Sequence, residues 1–319
     1  MLPESSTPFI ANAPMFGFAD VKPADLSTQL SSLDRQLTEA RSILGLADEP
    51  LPLGVGFITF QSGGFIQNAI PILRKHRVAA VWLSFPQADV DHDAMVQAIR
   101  EHRDWDTKVF VQVGTVAAAK EAIRQGVDVL VVQGTDAGGH QWAHGASLIS
   151  LLPEVRDVLS AAQNTTTAIL AAGGIVDGRG CVAALGLADG IVMGTRFVST
   201  FECPAPSAMK QTIVSSTDGG VSTVKSVQHD VFQSTDVFPR QYDGRAVIGI
   251  SYEDSQAGVS NDEVIRRYNE ARQAGEDQRR TVWAGASVGS INAVLSVDEV
   301  LTTTRQEARA ILERMRTVL

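Results

Sequence analysis

The residues best able to do chemistry lie in one short stretch near the middle of the chain, VVQGTDAGGHQWAHG at 131–145. An apolar run ends there, two glycines follow, and a histidine comes directly after them. Gly138 and Gly139 would let the backbone pass close to a flat ligand, because glycine has no side chain to block the approach. Histidine titrates near neutral pH, so His140 at the end of a buried strand is a candidate general base.

A metal site is the main alternative for this stretch, because His140 and His144 have the i, i+4 spacing of two zinc ligands. The segment HQWAH lacks the glutamate of a zinc-protease motif, and Asp136 is the one nearby candidate for a third ligand. We therefore expect no metal, and we expect His144 at the surface or in support of the site. The other four histidines occur in helical or polar segments and are expected to be solvated: His76, His92, His102 and His229.

Two further glycine groups follow strand-like runs, in AAGGIVDGRG at 171–180 and MGTRF at 193–197. In parallel barrels the loops after the last two strands commonly hold a phosphate through main-chain N–H groups. Glycine suits such loops, because a side chain would keep the anion away from the backbone. Tight turns would also use glycine, but two such groups at consecutive strand ends favour a phosphate site.

The elements that must position these residues alternate between apolar β-rich runs and amphipathic helical segments. Continuously apolar runs are typical of parallel strands buried on both faces, and repeated strand–helix units predict a parallel α/β protein. Seven strands in series favour a (β/α)8 TIM-type barrel over a doubly wound sheet, although the second strand is irregular or missing between residues 17 and 50. The predicted strands lie at 8–15, 51–60, 78–85, 108–114, 127–134, 166–175 and 189–200.

The pattern changes after residue 200, where a Ser- and Thr-rich segment shows no strong helical period. We predict a barrel from 1–200 and 283–319, interrupted by an inserted lid or substrate region at 201–282. A helix is predicted at 261–275, stopped by Gly275, and another at 296–315, where Ser296 and Glu299 form a capping box.

The overall composition is that of a globular protein, with 44% hydrophobic and 20% charged residues. The net charge of −9 disfavours nucleic acid as a partner, since phosphate binding needs clustered Lys and Arg. Cys181 and Cys203 form no CxxC motif. No signal peptide or membrane-spanning run is evident, which favours a cytoplasmic protein, and the oligomeric state is left open.

The chain resembles the nitronate monooxygenases, formerly called 2-nitropropane dioxygenases. The resemblance covers nearly the whole chain, and QGTDAGGH at 133–140 is its most specific motif. The other matching motifs are NAPM at 12–15, AAGGIVDGRG at 171–180, MGTRF at 193–197 and WAGASVG at 283–289.

This resemblance implies an FMN-dependent barrel that oxidises a small nitronate or nitroalkane with dioxygen. His140 would deprotonate a nitroalkane or hydrogen-bond the nitro group of a nitronate. The implied FMN-binding residues lie at the carboxyl ends of the strands: Ala13, Pro14, Met15, Gln133, Gly138, Gly139, Gly173, Gly174, Met193, Gly194 and Thr195.

The chain departs from the family pattern at three places. The glycine-rich second strand after APM is replaced by a direct passage into a helix, Gly56 stands where an asparagine is frequent, and Ala286 stands where a glutamine is common. Two alternatives therefore stay open. One is an FMN-dependent oxidoreductase of the enoyl-reductase type, and the other is a flavin-poor barrel that acts as a non-catalytic accessory protein.

Overall fold

The structure is a computed structural model, and it describes residues 9–12, 26–61, 65–86, 92–101, 105–234 and 238–316. Ten strands are described: β1 (Phe9–Asn12), β2 (Leu51–Ile58), β3 (Val78–Ser84), β4 (Lys108–Val113), β5 (Val129–Gln133), β6 (Gly139–Trp142), β7 (Ala168–Ala172), β8 (Gly190–Met193), β9 (Thr223–Ser226) and β10 (Tyr242–Val247).

Thirteen α-helices are described along the same ranges. They are α1 (Leu26–Ile43), α2 (Phe65–His76), α3 (His92–Arg100), α4 (Val116–Arg124), α5 (Leu148–Ala161), α6 (Gly178–Leu185), α7 (Thr195–Val198), α8 (Ser207–Ser215), α9 (Gly219–Ser222), α10 (Gln228–Gln233), α11 (Ile250–Gln256), α12 (Asn261–Gln273) and α13 (Val297–Met315).

Seven strands form one parallel sheet in the order β1-β8-β7-β5-β4-β3-β2. The order follows the chain around a barrel wall, with β1 joined to β8 as in a closed barrel. Within the described residues, β1 and β2 are the two ends of the sheet and do not pair with each other. The prediction of a parallel α/β barrel-type sheet is confirmed, and the described part of 17–50 contains the helix α1. The expected irregular or missing second strand falls partly on residues outside the described ranges and stays a prediction.

The sheet is apolar on both faces, which explains its continuously apolar strands. The face toward the helices packs with α1 to α6 and α13 around residues such as Leu130, Ile169 and Ile191. The inner face carries its own cluster, which includes Trp82, Phe110, Val131, Leu170 and Val192. The sheet thus forms a curved wall with a filled interior, and its carboxyl ends make the rim on which loops can assemble a site.

The helix boundaries follow the caps in the sequence. Asp177 caps α6 by accepting from the N–H groups of Arg179 and Gly180. Ser296 and Glu299 form the predicted capping box of α13. The α12 helix ends at Gln273, and Gly275 has a positive φ of 73° after it. The expectations for the end of α12 and the start of α13 are confirmed.

One expectation about a strand boundary is wrong. The predicted strand at 189–200 ends at Met193, because Gly194 turns the chain and α7 begins at Thr195. The segment at 201–282, which shows no strong helical period in the sequence, contains α8 to α12, β9 and β10. Strands of four and six residues are too short to show a period, and β10 pairs with both β6 and β9.

That pairing produces a second, antiparallel sheet in the order β6-β10-β9. His140 on β6 lies opposite Gly244 on β10, which in turn lies opposite Ser226 on β9. None of the described helices is both long and apolar enough to cross a membrane.

Candidate active site

Four loops meet at the carboxyl rim of the large sheet, and the WAGASVG segment links the other three. The N–H of Gly285 donates to the Thr195 hydroxyl at 3.0 Å, after β8. The Ser287 hydroxyl donates to the carbonyl of Gly174 at 2.7 Å, after β7. The N–H of Ala286 donates to the carbonyl of Asp136 at 2.9 Å, after β5. The motifs at 133–140, 171–180, 193–197 and 283–289 therefore belong to one site.

The loop after β7 needs its two glycines. Gly173 and Gly174 have φ values of 109° and 70°, which side-chain-bearing residues rarely adopt. A Cβ on Gly173 would also lie 3.0 Å from the Ala137 nitrogen and from the Gly134 oxygen. The backbone of this loop carries no side chains and packs closely against its neighbours, so its N–H groups are accessible to an anion in a fixed geometry.

Position 138 requires a glycine for a reason that the sequence did not indicate. A Cβ there would lie 2.5 Å from both the Ala284 carbonyl carbon and the Gly285 nitrogen. The neighbouring Gly139 has a φ of 72° and begins β6. We expected these glycines to make room for a flat ligand. Gly138 is instead packed against the protein's own backbone, and this contact alone explains why position 138 is a glycine.

Met193 ends β8 and is completely buried. Its side chain belongs to the apolar layer between the sheet and the helices, away from the inner face. A contact between this residue and a cofactor would therefore have to use its main chain. Ala13, Pro14 and Met15 lie outside the described residues.

The side-chain amide of Gln133, at the end of β5, hydrogen-bonds the backbone of His140, the candidate base. Its Oε1 accepts from Gln112 Nε2 at 2.9 Å, and its Nε2 donates to the carbonyl of His140 at 3.0 Å. With the β6–β10 ladder, this bond fixes the backbone from which the imidazole projects.

The His140 imidazole is paired with Asp230 on α10. Its Nε2 lies 2.8 Å from Asp230 Oδ1 and 3.0 Å from Oδ2. The His140 side chain is 18% exposed and that of Asp230 is 5% exposed, so the pair is largely removed from water. Asp230 was missed from the sequence, because a residue 90 positions away in a polar segment carries no spacing signal.

Aromatic rings enclose the imidazole. Phe238 stacks on it, with ring centroids 3.6 Å apart and planes 5° apart. Trp283 lies at 4.8 Å on a tilted plane, and Phe85 meets it edge-on at 6.4 Å. Such walls exclude water and present an apolar surface beside the imidazole. Trp283 begins the WAGASVG motif, whereas no sequence pattern indicated Phe85 or Phe238.

Phe85 holds a strained backbone at the end of β3. Its φ of 58° is a genuine outlier for a bulky residue. The Thr59 hydroxyl lies 2.8 Å from the Ser84 carbonyl and 3.2 Å from the Phe85 carbonyl. The hydroxyl of Tyr242 donates to the next carbonyl, that of Pro86, at 2.5 Å. These bonds keep the ring turned toward the His140 enclosure.

Two partly buried cations support the small sheet, Arg245 by joining it to the rim and Lys225 by joining its strands to one another. Arg245 donates to the Thr135 carbonyl at 3.1 and 3.2 Å and to the Thr223 hydroxyl at 3.0 Å. Lys225 donates to the carbonyl of Trp142 at 2.9 Å and pairs with Asp243 at 3.4 Å. Burial raises the pKa of Asp243 and lowers that of Arg245.

The expectation of solvated histidines is wrong for three of the four, and His102 lies outside the described residues. His229 is buried beside Asp230, and its Nε2–H donates to the Val224 carbonyl at 3.1 Å. Burial lowers its pKa. His76 is buried 2.8 Å from Asp34, and His92 lies 2.6 Å from the Thr59 hydroxyl. Each of these histidines lies on the buried face of its helix. A polar partner there hydrogen-bonds the imidazole, so its burial leaves no unpaired ring nitrogen in that bond.

His144 is exposed, in agreement with the sequence expectation. The described residues contain no group of three His, Cys, Asp or Glu side chains that could hold a metal ion.

The rim fits a flavin nucleotide. Gly173 and Gly174 offer bare backbone for a phosphate, and the inner face below them is apolar enough for a flat ring system. Trp82 on that face has a buried indole N–H with no hydrogen-bond partner among the described residues. A buried donor of this kind is satisfied when a ligand acceptor lies against it.

A barrel-type parallel sheet with bare glycine loops at its carboxyl rim and an acid–histidine pair above them is the arrangement found in many α/β enzymes. Comparison with known proteins identifies the family. The sequence model described as "Nitronate monooxygenase" matches residues 66–307.

Two fungal proteins are similar to this chain over nearly its whole length. A nitronate monooxygenase of Neurospora crassa is 36% identical, over 98% of this chain and 92% of that protein. The nitronate monooxygenase npaC of Metarhizium robertsii is 33% identical, over 98% and 94% respectively. The chain therefore belongs to the nitronate monooxygenase family, whose members are flavin-dependent oxidoreductases.

Solved structures agree on the fold. FabK from Thermotoga maritima superposes with a TM-score of 0.68 at 22% identity, over 91% of this chain and 85% of FabK. The nitroalkane oxidase from Streptomyces ansochromogenes gives a TM-score of 0.65 at 20% identity, over 95% of this chain and 97% of that one.

Proposed function

We propose that this protein is an FMN-dependent enzyme that oxidises alkyl nitronates with dioxygen and accepts nitroalkanes more slowly. The observation that carries the proposal is the position of His140. It is largely enclosed by aromatic rings, hydrogen-bonded to Asp230, and directly follows the glycine loop that contacts the WAGASVG segment at the rim. Membership in the nitronate monooxygenase family supports the same activity.

The cofactor would be held mainly by backbone. Gly173, Gly174, Gly194 and Thr195 would bind the FMN phosphate through main-chain N–H groups, since no cationic side chain is needed where bare amides converge. Gln133, Gly138 and Gly139 would border the flavin, as would Ala13, Pro14 and Met15 from outside the described residues. Bound FMN would supply the acceptor for electrons from the nitronate and their delivery to dioxygen.

The protein's own part is proton transfer and binding. The hydrogen on a carbon beside a nitro group is acidic, so an imidazole that titrates near neutral pH is a competent base for it. With a preformed nitronate this proton is already gone, and a protonated His140 would then donate a hydrogen bond to the nitro oxygens. The aromatic rings would contact the alkyl chain and exclude water.

Residues 1–200 and 283–319 would form the flavin-binding barrel, and 201–282 would cover it as the substrate region. This division is supported by what the inserted region supplies to the site. Asp230 and Phe238 both come from it, and each contacts His140 directly.

The test is a visible absorbance spectrum of the purified protein, followed by addition of an alkyl nitronate without oxygen. We expect a bound-flavin spectrum that bleaches on addition and recovers when air is admitted. A flavin that stays oxidised with nitronate but bleaches with NADH would reject this activity in favour of a nicotinamide-dependent reductase. Protein that retains no FMN after gel filtration would reject any flavin enzyme.

A substitution tests the role of His140 itself. His140→Asn keeps a polar hydrogen-bonding side chain but removes the base. We expect it to slow nitroalkane oxidation by about 100-fold or more, with a smaller effect on nitronate oxidation. Equal losses for the two substrates would make His140 a binding residue only.

A further inference from the structure

We infer that Asp230 is the positioning residue of His140: it holds the imidazole in the Nε2–H form, so that Nδ1 is the atom that takes the substrate proton. This inference rests on the proposed function, because it assigns the atom that acts in that reaction. It follows from the hydrogen bonds and ring contacts around one side chain.

The first step is the identity of the proton on Nε2. Both Asp230 oxygens lie within 3.0 Å of Nε2, and an ionised carboxylate can only accept hydrogen bonds. Nε2 must therefore donate. A neutral imidazole carries one N–H, so the lone pair of His140 is on Nδ1. No described residue hydrogen-bonds to Nδ1, which leaves it available to a ligand.

The second step is that the ring has little freedom to turn. Phe238 covers one face at 3.6 Å, and Trp283 and Phe85 lie against it from other directions. The backbone below is held by Gln133 and by the β10 strand. Asp230 is itself buried on α10, so the carboxylate that fixes the ring is fixed as well.

The third step is the charge balance of proton transfer. The C–H bond beside the nitro group breaks, its electron pair stays on the substrate as the nitronate, and a new N–H bond forms at Nδ1. The imidazole becomes a cation, and the Asp230 carboxylate on its far side stabilises that charge. Hydrolase triads use the same order of carboxylate, imidazole and substrate, with the roles of the two ring nitrogens exchanged.

The other ionisable groups around His140 do not replace Asp230. Asp243 on β10 is partly neutralised by Lys225 at 3.4 Å. The neighbouring Arg245 is engaged with Thr135 and Thr223. His229 on α10 is kept neutral by burial, which lowers its pKa. Among the described acidic residues, Asp230 is the one that is hydrogen-bonded to His140.

The kinetic test compares Asp230→Asn with the wild type on a nitroalkane and on its preformed nitronate. We expect kcat/KM for the nitroalkane to fall by about 10- to 100-fold, because deprotonation loses its oriented base. For the nitronate we expect a change below about 3-fold, since no proton is removed from it. Asp230→Glu should restore part of the nitroalkane activity.

The pH profile adds a readout that a purely structural role would not move. Neutralising the carboxylate removes its stabilisation of the imidazolium, so the acidic limb of kcat/KM for the nitroalkane should move to lower pH by about one unit. Asp243→Asn removes a nearby charge without a bond to His140 and serves as the control, with a much smaller displacement expected. Equal losses on both substrates, or an unmoved limb, would overturn the assignment.

An independent measurement separates this inference from the proposed activity. In protein carrying ¹⁵N-labelled histidine, His140, identified by comparison with His140→Asn, should show a protonated Nε2 and an unprotonated Nδ1. The reverse tautomer would overturn the inference even in an active enzyme. If the wild type oxidised no nitronate yet showed this tautomer, the proposed function would fail while the His140–Asp230 geometry stood.

Discussion

Gly138 and Ala284 are in direct backbone contact, because a Cβ on Gly138 would lie 2.5 Å from the Ala284 carbonyl carbon. The loop that leads to His140 and the loop that precedes α13 are therefore fitted together at a point that admits no side chain. The next residue, Gly285, joins the same contact to Thr195 after β8.

Gly138→Ala should therefore destabilise the protein and loosen the rim. Forcing a methyl group into a closed contact costs about 1–3 kcal/mol of the free energy of unfolding. Urea unfolding measures this cost, and flavin titration of the folded variant should show weaker binding. Gly186→Ala is the matched control, since a Cβ there meets nothing within 4 Å. A Gly138→Ala variant as stable as this control would contradict the contact.

Gly174→Ala should weaken binding of the FMN phosphate specifically. The residue has a φ of 70°, and its new Cβ would lie 3.1 Å from the Asp136 Cβ, so the loop must shift. We expect FMN affinity to fall by about 10-fold, equivalent to 1.4 kcal/mol, while affinity for riboflavin, which lacks the phosphate, stays the same. Fluorescence titration with both flavins checks this.

The control for that substitution is Gly275→Ala, at a φ of 73° with nothing within 4 Å of the added Cβ. It carries a similar backbone cost far from the rim and should leave both flavin affinities intact. A parallel loss of riboflavin and FMN binding in Gly174→Ala would place the phosphate elsewhere.

His229→Gln should make stability less sensitive to acid. Burial lowers the pKa of His229, so between that value and about 6.5 the unfolded chain binds more protons than the folded one. The free energy of unfolding therefore decreases as the pH falls through this window. Glutamine can still donate to the Val224 carbonyl but does not titrate.

Urea unfolding of the wild type and of His229→Gln across this pH range gives the comparison. The slope should be shallower in the variant, whereas His144→Gln, at an exposed position, should match the wild type. Identical slopes in all three proteins would show that His229 titrates alike in the folded and unfolded states.

Phe85→Gly should be more stable than Phe85→Ala, the reverse of the usual order. Both lose the aromatic contacts, but only glycine is relaxed at a φ of 58°. We expect a difference of about 1 kcal/mol in favour of glycine. At Ser160 in α5 the same pair should favour alanine by about 1 kcal/mol, as in any helix. Thermal and urea unfolding of the four variants decide the point.

The sequence was informative wherever a local pattern reflects a local cause. Continuously apolar runs predicted the parallel strands, because each is buried on both faces whatever its neighbours are. Gly173 and Gly174 were singled out as a glycine pair at a strand end, and their backbone angles are ones that other residues rarely adopt. The helix α1 was recognisable in the same way, from its own amphipathic spacing.

The parts that could not be predicted depend on pairing across long separations. β6, β9 and β10 have four to six residues each, and they are strands only because they lie beside one another. Asp230 carries no signal of its role, because its partner is 90 residues earlier. His229 seemed solvated in a polar segment, yet that segment folds against β6.

The strands β6 and β10 pair although they are about 100 residues apart in the chain, and this separation sets the order in which the parts of the site are synthesised. During synthesis, strands β5, β7 and β8 and their glycine loops emerge before residue 230, so a nascent chain holds its histidine without the carboxylate that orients it. Closing so long a segment adds little entropy cost beyond that of a shorter one. The rim is completed later still, because the WAGASVG segment at 283–289 follows residue 230 in the chain. A single cut between residues 201 and 222 would separate His140 from Asp230 covalently while leaving every strand of the barrel wall with its own loop.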